Sequence, residues 1–183
     1  MITMHHHIES SKSRNKFFRF QSAQSFNAQI QYLASNFSYP YEKKLGSQDN
    51  TFHITLDDGL KSHLDAAKIL EKNNVYGTFY YLTSTPLGKS VLNVHLGHIL
   101  LKYLDHTAKV SLLSDLSDVS GSRDDISETK FVYRHQGNYQ IDMEIKSKIN
   151  YTCGPKNVRN ILIYYLGKQT NLSENEINKE IYL

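Results

Sequence analysis

Two adjacent carboxylates followed by glycine, Asp57-Asp58-Gly59, are the residues of this chain best suited to chemistry. Neighbouring carboxylates repel one another unless a cation or a shared proton relieves them. Gly59 permits a sharp turn, so that one carboxylate can hold a divalent metal while the other faces a water on that metal. That is a hydrolytic arrangement. An exposed Asp-Asp-Gly turn capping the following helix accounts for the dipeptide equally well, so spacing alone leaves both readings open.

Other catalytic patterns are lacking. The single cysteine, Cys153, precedes Gly154-Pro155 at a helix start without a Cys-His signature, and it cannot form an internal disulfide. There is no G-x-S-x-G elbow, no G-x-G-x-x-G and no phosphate-loop lysine motif, so nucleotide binding has no support. A metal must be held by histidines and carboxylates. A phosphoryl acceptor of the haloacid-dehalogenase-like kind ranks last, because those enzymes place their aspartates one residue apart and these two are adjacent.

The elements that must position Asp57 and Asp58 follow from periodicity. Thr51 to Leu56 is a β-branched and aromatic run of strand length ending at the two aspartates. Leu60, Leu64, Ala67 and Leu70 then predict a helix to Lys72 that stops at Asn73-Asn74, and Val75 to Leu82 is again strand-like. Strand, helix and strand at this separation form the unit of parallel α/β architecture, whose sites lie at the strand ends. Upstream, the triple His5-His6-His7, following Met1-Ile2-Thr3-Met4 and preceding Ile8, reads as the exit of a short first strand. Phe26, Ile30, Leu33 and Phe37 mark one face of a helix from Ser22 to Phe37.

Downstream, Ser90 to Leu104 predicts a helix, and Leu113 to Thr129, rich in Ser and Asp, an exposed insertion. Phe131 to Arg134 reads as a short strand. Pro155 opens a helix carrying Val158, Ile161, Leu162, Tyr165 and Leu166 to Gly167, and Ser173 with Glu176 forms a capping box for a last helix to Tyr182.

The window HITLDDGLKSHLDAAKILEKNNVYGTFYYL resembles the first motif region of the NodB-like polysaccharide deacetylases, where a strand ends in T-F-D-D-G and a later strand reads T-F-F. Here these are Thr55-Leu56-Asp57-Asp58-Gly59 and Thr78-Phe79-Tyr80. The likeness extends to Ile2-Thr3-Met4-His5-His6 and to Val91 through His98. It implies an α/β fold, an incomplete distorted (β/α) barrel corresponding to the amino-terminal part of that domain, with a core over 1–90 and a helical insertion over about 91–183. It also implies a hydrolase acting on carbon–nitrogen bonds other than peptide bonds, which removes N-acetyl groups from a sugar or polysaccharide with a divalent metal, Zn²⁺ first among them. By that resemblance Asp57 is the general base and Asp58 a metal ligand.

The family completes its metal site with two histidines four apart, and no H-x-x-x-H occurs in these 183 residues. That motif is expected beyond Leu183. His95 and His98, three apart on one helix face, are the alternative ligands within the chain. His6, at the first strand's exit, is placed to line a barrel mouth, whereas His53, His63, His106 and His135 read as surface or packing residues. The competing reading is a truncated, non-catalytic remnant acting as a carbohydrate-binding module.

Composition bounds the rest. An apolar content of 39% suffices for a core, while 21 Lys and Arg against 18 Asp and Glu leave a charge of only +3, so nucleic acid is not an expected partner. The 13 tyrosines offer stacking faces for sugars, although packing is their default role. No basic and apolar leader and no run near the about 18 apolar residues of a membrane span is present, which points to a cytoplasmic protein.

Overall fold

The computed structural model describes residues 1–9, 20–38, 51–82, 90–119, 140–151 and 155–182. These form an α/β structure with a small parallel sheet: β1 (Ile2–His5), β2 (Ile8–Glu9), β3 (Gln21–Ser22), α1 (Ala23–Asn36), β4 (His53–Leu56), α2 (His63–Lys72), β5 (Gly77–Phe79), α3 (Asn93–Tyr103), α4 (His106–Val119), α5 (Gln140–Tyr151), α6 (Pro155–Gln169) and α7 (Glu174–Ile181). The chain divides into two compact units, Met1–Ser90 with Asn175–Leu183, and Val91–Glu174. The last helix, read from sequence with the helical insertion, thus belongs mostly to the first unit.

In the first unit the strand order is β1-β4-β5, all parallel, with His5 level with Leu56 and Leu56 level with Phe79. The three strands therefore end together. Side chains alternate across a strand, so Thr3, His5, Ile54, Leu56 and Gly77 share one face. That face meets α1 and α2: the His5 ring packs edge-on against Phe26 with centroids 5.0 Å apart, and a Cβ on Gly77 would stand 2.7 Å from Leu70. Ile54 and Leu56 join Phe26, Ile30, Leu33, Ala66 and Leu70 in the buried core. Each such large apolar side chain contributes about 1.5–3 kcal/mol on burial. On the opposite face Ile2 and Met4 are exposed. These strands are those of a parallel sheet, and a closed barrel is not formed by the described residues.

Helix α1 starts where expected, because the Ser22 side chain accepts a hydrogen bond from the Ser25 amide at 3.1 Å, satisfying one unpaired amide of the first turn. Helix α2 differs from expectation. It begins at His63 rather than Leu60, which bridges to Tyr182, and its inward side carries His63, Ala66 and Leu70 while Leu64 is exposed. Likewise β5 covers only Gly77–Phe79 of the expected strand from Val75 to Leu82. The pair β2 and β3, two residues each and parallel, was not anticipated.

The second unit is helical, with α3 to α6 around Leu96, Ile99, Leu100, Leu112, Leu116, Ile145, Leu162 and others. Part of the expected insertion is in fact helix. Leu113 to Val119 completes α4, with Leu116 fully buried, because Leu112 and Leu116 lie one turn apart and outweigh the intervening serines and aspartates. The remainder of that insertion, the Phe131 to Arg134 strand, His135 and Cys153 lie outside the described residues. No described helix is long and apolar enough to cross a membrane. Tyr165, buried and donating its hydroxyl to Asp115 at 2.8 Å, has its phenol pushed up to about 12 and stays a donor at neutral pH.

Candidate functional site

The common carboxyl end of β1, β4 and β5 is where the reactive side chains gather. After Leu56 the Asp57 amide donates to the His5 carbonyl at 3.2 Å, continuing the β1–β4 ladder by one bond. Then the backbone turns. Asp58 and Gly59 both take left-handed conformations, with φ of 81° and 63°. A non-glycine residue there is strained, and such strain collects at functional turns. The turn is fastened from β5, since the Gly59 amide donates to the Tyr80 carbonyl at 3.1 Å and the Tyr80 amide to the Leu56 carbonyl at 2.8 Å.

This geometry delivers Asp58 to His6. Its Oδ2 lies 3.4 Å from His6 Nδ1, with the Asp58 side chain about a quarter exposed and His6 about half. The hydrogen bond to Asp58 outweighs partial burial and raises the His6 pKa above its usual value. Two neighbouring histidines behave oppositely. Nδ1–H of His5 donates to Gln21 Oε1 at 3.1 Å, and Nε2–H of His63 donates to the His6 carbonyl at 2.7 Å. Burial lowers the pKa of both rings, and in each the remaining nitrogen is buried without a hydrogen-bond partner among the described residues.

These shifts predict a stability maximum near pH 6.5 from the three rings together. Below that value the unfolded chain protonates His5 and His63 while the folded chain resists, so stability falls with acid until their lowered folded pKa values are passed. Above it the folded chain keeps the His6 proton longer than the unfolded one, so its contribution is lost as pH rises through the raised folded value. Thermal unfolding from about pH 5 to about 8 should show this, and His6→Gln should remove the decline on the alkaline side. An unchanged alkaline limb in that variant would count against the His6–Asp58 pair.

The expected base Asp57 and expected ligand Asp58 thus flank one turn, half-buried, and His6 joins Asp58 from β1. His63, read from sequence as a surface or packing residue, is almost fully buried and touches His6; its place on the inner side of α2 became visible only with that helix's true start. His95 is buried in α3 of the second unit and His98 is partly buried one turn on. His53 instead pairs with Thr78 Oγ1 at 2.9 Å between strands. A divalent ion of the zinc kind takes three or four nitrogen, sulfur or carboxylate donors. Among the described residues no group of three or more His, Cys, Asp or Glu side chains is placed to hold a metal. Asp58 and His6 are apt donors, but two of them do not make a centre.

No protein-family model and no curated protein matches the chain. Among solved structures it is similar to proteins described as polysaccharide deacetylases, one from Bacillus anthracis and one from Bacillus cereus. Each is 20% identical over 55% of this chain and 35% of its own, with a TM-score of 0.37. The chain therefore spans about a third of those proteins' length, and its function has to be argued from its own side chains.

Proposed function

We propose that this chain carries the water-activating part of a hydrolase that removes N-acetyl groups from a sugar or polysaccharide. The observation that carries the reading is the Asp57–Asp58 pair at the end of the central strand, in a strained turn, with His6 against Asp58. Asp57 takes the proton of the attacking water, and Asp58 and His6 hold charge beside it. The products are acetate and an amino sugar. Tyr80, whose carbonyl accepts from the Gly59 amide, and Tyr81, which lies beside Gly59, are both exposed and offer ring faces on which a sugar can stack. The divalent cation that the reading calls for, Zn²⁺ first, would take Asp58 as one ligand and needs donors beyond His6.

A second reading, a non-catalytic carbohydrate-binding module, is favoured by one feature: the 183 residues hold no H-x-x-x-H pair to complete a metal site beside Asp58. Metal titration separates the two. Acetate release from N-acetylglucosamine oligomers should rise as Zn²⁺ is added to the wild type and fall at least tenfold in Asp58→Asn. No acetate from either protein at any Zn²⁺ concentration, with sugar binding retained, would establish the module and remove the hydrolase.

A further inference from the structure

His63 is the side chain near the site whose chemistry no packing role explains. It is 2% exposed, at the first position of α2, yet it is an imidazole rather than an aliphatic residue. Its Nε2 lies 2.7 Å from the His6 carbonyl oxygen, which can only accept, so that nitrogen carries the proton. Nδ1 is then a bare lone pair, buried with no hydrogen-bond partner among the described residues. Leucine would fill the same space without that penalty, and buried polar atoms are normally satisfied. What the imidazole supplies is the donor. His6 occupies the bend between β1 and β2, where the next carbonyl, that of His7, is held by the Gln21 amide at 2.8 Å. Both carbonyls of the bend are therefore fixed, one by backbone and one by His63.

We infer that His63 is a positioning residue for the site: by donating Nε2–H to the His6 carbonyl it fixes the bend that presents the His6 ring to Asp58. This deepens the hydrolase reading and rests on it for its purpose, since a fixed His6 holds Asp58 in the orientation that the turn requires. The His63 ring is locked in one tautomer by the bond it makes, in the way that an outer group fixes an inner one.

Ring ¹⁵N spectra of the wild type, His63→Leu, His63→Gln and Asp58→Asn test the inference. In the wild type His63 should be the Nε2–H tautomer with Nδ1 unprotonated. The His6 ring signals should move in His63→Leu as far as they do in Asp58→Asn, and should return to wild-type positions in His63→Gln, whose side-chain amide can donate to the same carbonyl. A merely structural role would not give that rescue. Unmoved His6 signals in a folded His63→Leu protein would overturn the inference. Should that variant not fold, the wild-type spectrum still decides, because an Nδ1–H tautomer of His63 cannot make the bond. None of these spectra needs turnover, so a wild type that shows the whole pattern but releases no acetate would keep the positioning role and remove the hydrolase.

Discussion

Replacing Gly59 by alanine is expected to lower the unfolding free energy by about 2–5 kcal/mol, a large part of the 5–15 kcal/mol typical of a domain. Two independent costs combine. At φ of 63° an L-residue carries the left-handed penalty of about 1–2 kcal/mol. The added Cβ would also stand 2.5 Å from Tyr81 Cβ and 3.4 Å from Tyr81 Cα. Neither of those atoms can swing away by a rotamer change, so the backbone after β5 has to move, at a further cost of about 1–3 kcal/mol. Urea unfolding followed by circular dichroism measures the sum. A loss below about 1 kcal/mol would mean that the turn relaxes freely and that its strain holds nothing in place.

Asp57→Asn is the second large effect, and it acts on rate. Under the proposed function it should reduce acetate release about 10²–10⁴-fold, the range that general-base catalysis contributes. Asparagine keeps the side chain's shape, and the Asp57 contact that builds the turn, its amide bond to the His5 carbonyl, is made by backbone. The proton acceptor is lost, together with a charge that helps to raise the His6 pKa. Turnover retained within a few-fold of wild type would exclude Asp57 as the base, whatever else the site does.

The sequence was legible where a pattern was both local and long. Phe26, Ile30 and Leu33 gave α1, and Val158, Leu162, Tyr165 and Leu166 gave the buried side of α6, because the spacing of apolar residues is itself the helix period. Helix α2 was placed but read out of phase. Leu60 looked like its first inward residue, whereas the strained turn at Asp58-Gly59 and the bridge to Tyr182 delay the helix to His63. Helix α5 went unseen because Ile145 and Ile149 are separated by charged residues, and β2 and β3 are too short for any periodicity. The aspartates themselves stood out by composition. Their partner His6 could not be assigned to Asp58, since nothing local says that β1 lies beside β4. A register of side-by-side strands decides it, and registers are set by tertiary packing.

That pairing of β1 with β4 also bears on the order in which the molecule can be made. The contacts joining the two strands are far apart in the chain: Met1 to Thr51 spans 50 positions and Thr55 to Thr3 spans 52. Closing loops of that size loses chain entropy before any contact repays it, so non-local parallel pairing is slow relative to helix formation. The helices flanking β4 can form while β1 is still unattached. Asp57 and Asp58 then exist without His5 and His6 beside them, and the site comes into being only when β1 pairs with β4.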